Sequence, residues 1–141
     1  MDEEHLIVED HPDQQDLKFL EEQLFAYNMA STGYYDGREL AIFLRDAQGT
    51  IIAGLSGWTW GGCLKIQYLW VHEDWRGQDL GTRLLAAAEA EGRARGCVIT
   101  GLDTHSFQAP QFYQKLGYEV YGVMEDDPVG HQHYHLRKRL T

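Results

Sequence analysis

The chain predicts one mixed α/β (α+β) domain over residues 1–141, a central sheet of about six to seven strands flanked by helices, and three observations carry that prediction. Apolar stretches of strand length alternate with two segments of helical spacing. One of those helices, starting near Leu80, follows a strand directly through a tight glycine-bearing turn. Cys97-Val98-Ile99-Thr100-Gly101-Leu102 is a near-continuous apolar run, the pattern of a strand buried on both faces.

Taken in order, His5–Val8 reads as a short first strand. Asp10-His11-Pro12-Asp13 opens a helix with Pro12 at an allowed first position, and Leu17, Leu20, Leu24 and Tyr27 or Asn28 repeat at helical spacing. Ser31–Arg38 is polar and glycine-bearing, a loop or short helix. Glu39–Arg45 is a strand, Asp46-Ala47-Gln48-Gly49 its hairpin turn, and Thr50–Trp60 the returning strand. Gly61-Gly62 turns the chain into a further strand, Cys63–Val71. Leu80, Leu84, Leu85, Ala88 and Ala94 then form a helix stripe closed by Gly96. After the apolar run at 97–102, Pro110 opens a helix that Gly117 stops. Tyr118–Val123 and His131–Arg139 supply the last two strands.

Bulk properties exclude several classes. A chain of 141 residues, 43% hydrophobic and 24% charged, buries a core without staples and has the composition of a soluble protein. No run of 18 apolar residues occurs and Met1-Asp2-Glu3-Glu4 lacks a basic start, so a cytoplasmic location with no membrane partner is expected. Cys63 and Cys97 read as two buried thiols in a reducing compartment. Net charge is −10; setting aside Arg137, Lys138 and Arg139 leaves 9 basic against 22 acidic side chains. Nucleic acid is a poor partner for such a surface, whereas a cationic ligand is drawn to it. His131, His133 and His135 recur at period two, which suits one strand face; with no converging ligands evident elsewhere, no metal is expected.

The segment Val71–Leu85 carries the most chemistry. A strand, a glycine turn and an immediate helix leave the first helical amides unpaired and pointing outward, with the positive end of the helix dipole behind them. Arg76 at the mouth adds a charge-assisted donor. The segment is therefore a ready phosphate site. It is not a Walker loop, because no lysine precedes Thr82, and it fits a dinucleotide fingerprint poorly.

Arg76-Gly77-Gln78-Asp79-Leu80-Gly81 resembles the Arg/Gln-x-x-Gly-x-Gly/Ala pyrophosphate loop of the GNAT superfamily, the acyl-CoA-dependent N-acetyltransferases. Asp79 departs from it, standing where the pattern has its first glycine; it is read as a helix cap whose carboxylate turns from the pyrophosphate. A second segment, Ala109-Pro110-Gln111-Phe112-Tyr113-Gln114-Lys115-Leu116-Gly117-Tyr118, resembles the superfamily's Ala-x-x-Phe-Tyr-x-Lys-x-Gly-Phe/Tyr motif. The two span roughly residues 63–123 in the expected order, and the order of elements extends the resemblance to nearly the whole chain.

The resemblance implies a GNAT-like, mostly antiparallel sheet and acetyl-CoA as co-substrate. Arg76, Gly77, Gln78, Asp79, Leu80, Gly81 and Thr82 would bind its pyrophosphate, Leu69, Trp70 and Val71 its pantetheine arm by strand-like pairing, with Tyr113 and Lys115 beside them. That strand and the one at 97–102 would splay, the wedge would receive the thioester, and a backbone N–H near Val71 would face the acyl oxygen. Tyr113 falls where the family places its thiolate-protonating tyrosine. The base is left open among His105, Glu22 and Glu73. Acceptor recognition would fall to Glu22, Tyr27, Tyr34, Asp36, Trp58, Trp60 and Asp103, aromatic rings with nearby carboxylates that suit a cation or sugar. The expected reaction is direct acetyl transfer to a primary amine of a small polycationic acceptor, aminoglycoside-like or a polyamine, with antibiotic inactivation as one consequence. A protein lysine or N-terminal acceptor, or a CoA-binding regulatory module without turnover, is the competing reading. A homodimer is open to the chain by analogy alone.

Overall fold

Period-two patterning and glycine turns build the sheet. A computed structural model describes residues 5–141 and divides the chain into two compact units that part between Tyr35 and Asp36. The first unit holds α1 (Gln14–Thr32). Asp13 caps it, its carboxylate accepting the Gln15 amide at 2.8 Å, so the helix starts two residues after Pro12 rather than on it. Lys18 and Glu22 pair one turn apart at 3.8 Å. His5–Val8 forms no strand, because no neighbouring strand pairs with its backbone.

The second unit is a six-stranded sheet in the order β1-β2-β3-β4-β6-β5, with β1 (Arg38–Arg45), β2 (Ile51–Trp60), β3 (Cys63–Val71), β4 (Ile99–His105), β5 (Glu119–Glu125) and β6 (Gln132–Arg139). Asp46 shapes the first hairpin, its carboxylate accepting the Gln48 and Thr50 amides. All pairings are antiparallel except β3 with β4. β4 begins later and ends later than the apolar run suggests: Cys97 precedes it and His105 is its last residue. Gly96, in the left-handed region at φ 85°, is still turning the chain out of the helix, so pairing starts only at Ile99.

Helices α2 (Leu80–Ala94) and α3 (Pro110–Lys115) follow the glycine turn and Pro110 as expected. α2 packs on β1, β2 and β3, and Leu55, Leu64, Leu84, Leu85 and Leu136 are buried to 2% exposure or less. Within this layer Glu89 is a buried charge with partners: it accepts the Tyr118 hydroxyl at 2.9 Å and the Lys138 ammonium at 2.8 Å. Lys138 and Arg137, which bonds Glu119 at 2.9 Å, are thus engaged within the fold.

The register locates an opening in the sheet. β3 and β4 pair only from Cys63↔Ile99 to Lys65↔Gly101. Beyond that point β3 stays on β2 as far as Val71, and β4 stays on β6 as far as His105. The two therefore face each other unpaired. A bulge on β3 at Gln67 marks the parting, since Tyr68 opposes Ser56 while Ile66 opposes Gly57. Gly57 permits it: a Cβ there would overlap the Lys65 carbonyl oxygen.

Candidate functional site

A cleft of about 600 Å³ opens at this parting, bounded by the end of β3, the loop into α2, and α3. β3 contributes Leu69, Trp70 and Val71, where its edge toward β4 has no strand partner, an offer of strand-like hydrogen bonding to an extended ligand apart from the Val71 carbonyl, which a side chain occupies. Arg76 donates through Nε to the Val71 carbonyl at 3.1 Å, which fixes the guanidinium at the mouth. A single 3-10 turn, Glu73–Trp75, capped by His72 Nδ1 accepting the Asp74 amide at 3.0 Å, leads into the loop. Gly77, Asp79, Leu80, Gly81 and Thr82 line the cleft, while Gln78 is not among its lining residues.

Asp79 corrects one expectation. It sits in the left-handed region at φ 60°, ψ 20° and its side chain makes no cap bond, because a capping carboxylate needs an extended backbone to reach the second or third helical amide. The amides opening α2 consequently keep their donors for a ligand. Its backbone also explains why a glycine serves well there. We expect Asp79→Gly to relieve about 1 kcal/mol of strain and remove a carboxylate from the anion site. CoA should then bind roughly tenfold tighter; a titration showing equal or weaker affinity would contradict this. Gly81 has a packing role: a Cβ would lie 3.2 Å from the Phe112 ring tip, so glycine lets α2 and α3 close on one another.

α3 brings Tyr113 and Lys115 to the same cleft. The Tyr113 ring meets Phe112 edge-on at 5.0 Å and Tyr118 at 6.1 Å. Burial raises the Tyr113 phenol above its ordinary value, so it stays protonated and able to give a proton. Trp75, Gln108, Ala109, Phe112 and Leu116 also line the cleft and were not singled out from sequence. Ala109 and Phe112 stand in the second motif, which was the available signal.

His105 ends β4 on the far side of the opening and is not among the residues lining the cleft, although Gln108, which holds it, is. Gln108 Oε1 accepts both its backbone amide and its ring Nδ1, each at 2.8 Å, leaving Nε2 with the free lone pair. Glu73 lies in the 3-10 turn and Glu22 in α1 of the other unit, so His105 alone of the three base candidates lies on β4 beside the opening.

The acceptor residues named from sequence divide. Glu22, Tyr27 and Tyr34 belong to the first unit. In the second, Trp58 opposes Lys65 at the apex of the opening, and Trp60 opposes Cys63 beyond it. Asp36 accepts the Gly61 amide at 2.9 Å at that closed end, about 25 Å along the strands from Val71. Asp103 lies on β4, two residues before His105, and bonds His135 at 2.8 Å. Both thiols are free; burial raises Cys63 and Cys97 above the ordinary thiol value, which disfavours a thiolate nucleophile at either. No described helix is long and apolar enough to cross a membrane.

Known proteins share this fold. The model of the acetyltransferase (GNAT) domain matches residues 37–120. An acetyltransferase of Agrobacterium fabrum is 35% identical over 136 residues, covering 96% of this chain and 99% of that protein. The blasticidin-S acetyltransferase of Streptomyces morookaense is 37% identical over 116 residues, 77% of this chain and 83% of that protein. The crystal structure of an acetyltransferase from Agrobacterium tumefaciens superposes with a TM-score of 0.90 at 34% identity, covering 96% of this chain and 99% of that one.

Proposed function

Because this chain belongs to the GNAT acetyltransferase family, we propose that it carries acetyl from acetyl-CoA to a primary amine of a small polycationic acceptor, such as a polyamine or an aminoglycoside. The observation that carries this is the cleft, where unpaired β3 backbone, uncapped α2 amides and a protonated tyrosine converge. The acceptor class rests on an acid-rich chain and on a relative that is named for acetylating blasticidin S.

Bound there, acetyl-CoA supplies an activated acyl group. The amides of Gly81 and Thr82, with Arg76, hold its pyrophosphate, and Leu69 and Trp70 align the pantetheine arm. Lys115 adds a positive charge beside the same cleft. The β3 backbone near Val71 faces the acyl oxygen as a donor. His105 Nε2 takes one proton from the ammonium of the acceptor, directly or through water. As the C–N bond forms and the C–S bond breaks, Tyr113 gives its proton to the departing sulfur, and the second proton shed by the nitrogen restores the phenol. With both cysteines disfavoured as thiolates, the amine attacks in a ternary complex without an acyl-enzyme.

A thiol-release assay with polyamines, aminoglycosides and lysine-bearing or free-N-terminal peptides tests the acceptor. Release driven by polyamines or aminoglycosides is expected; turnover with peptides alone overturns the acceptor class. His105→Ala is expected to lower kcat by ~10²–10⁴-fold with CoA affinity unchanged, and wild-type turnover in the variant removes His105 as base.

A further inference from the structure

The pairing of β4 with β6 assembles a cluster that the histidine spacing alone did not disclose. Asp103 opposes His135 and His105 opposes His133, so strand alternation sets all four side chains on one face. Asp127, in the loop before β6, joins them. Its Oδ2 lies 2.8 Å from His133 Nδ1, while His135 Nδ1 lies 2.8 Å from Asp103 Oδ1. Asp103, Asp127, His133 and His135 do not line the cleft described above, and the His105 ring beside the opening packs against His133 at 4.5 Å.

His133 Nε2 is the telling atom. It is buried and has no hydrogen-bond partner, yet it faces Asp103 Oδ2 at 3.7 Å. With Nδ1–H given to Asp127, Nε2 presents a lone pair toward a carboxylate, two acceptors separated by more than a hydrogen bond. Such a pair is stabilised by a cation between them. A carboxylate holding one imidazole nitrogen while the other points at a common centre is also the arrangement that orients metal-binding histidines.

We propose that Asp103, His133 and His135 form a binding site for a borderline-soft divalent cation of the zinc type, with Asp127 fixing the His133 ring. One ligand atom from each of the three lies within 4.8 Å of the others. A tetrahedral zinc shell needs neighbouring ligands about 3.3 Å apart, a closure that rotation about the side-chain bonds supplies while the strands stay still. Two imidazoles and one carboxylate select zinc over magnesium or calcium, which take oxygen. Water completes the shell. The ion ties the open end of β4 to β6, on the side of β4 away from the wedge.

Chelator-treated protein titrated with zinc sulfate in a calorimeter should bind one equivalent, with a melting temperature that rises with free zinc and no response to magnesium. Cobalt(II) should give the visible absorption of a tetrahedral site. Asp103→Asn and His133→Ala should lose that binding, Asp127→Ala should weaken it roughly 10–100-fold, and His11→Ala, at a histidine outside the cluster, should leave it intact. Circular dichroism confirms that each variant is folded. Absence of a stoichiometric site, or binding that survives both Asp103→Asn and His133→Ala, overturns the proposal and reduces the cluster to a network of hydrogen bonds between strands.

Discussion

Tyr113→Phe is expected to lower kcat by ~10²–10⁴-fold while CoA affinity stays nearly unchanged. The ring lines the cleft and packs against Phe112 and Tyr118, contacts a phenylalanine keeps, so the substitution removes little but the hydroxyl. Burial holds that hydroxyl protonated, which is the state a proton donor to a departing thiolate requires. Steady-state turnover and a CoA titration on the same preparation separate the two effects. Wild-type turnover in the variant would remove Tyr113 from the proposed mechanism, and a parallel loss of CoA binding would make it a packing residue.

Glu89→Ala is expected to destabilise the fold by about 3 kcal/mol, lowering Tm by roughly 10 °C. Glu89 is 5% exposed, and its carboxylate joins α2 to Tyr118 ahead of β5 and Lys138 on β6. Its removal strands a half-buried ammonium and a buried hydroxyl at once. Glu89→Gln, which still accepts from Tyr118, should lose less. Burial, and then the Glu89 charge and hydrogen bond, push the Tyr118 phenol far above its ordinary value. The fold therefore favours the protonated phenol: that stability is intact below about pH 10 and is lost as pH climbs beyond it. Thermal melts across alkaline pH check both statements, and an unchanged Tm in Glu89→Ala would contradict the first.

Local chemistry made much of the molecule legible in the sequence. The strand–glycine turn–helix at 71–85 and the helix from Pro110 to Gly117 were readable because turns and helix starts depend on a few adjacent residues. What sequence missed depended on partners. His5–Val8 has strand composition but no neighbour to pair with. His105 was placed after its strand, yet its pairing with His133 extends β4 by three residues past the apolar run. Asp79 looked like a cap because its residue type caps; its left-handed backbone forbids it. Trp58 and Trp60 share a face, but only the register shows that they stand at and beyond the apex of the opening. The Asp103–His133–His135 cluster arises from cross-strand register and a loop carboxylate, neither visible as spacing.

Coenzyme A is expected to seat in the cleft between β3 and α3, held by the amides that open α2. Isothermal titration of the purified protein with coenzyme A tests this most directly. One saturable site per chain is predicted, weakened when Gly81→Val drives a side chain into Phe112 and the α2 entrance. A flat titration at millimolar coenzyme A, from folded protein, would contradict it.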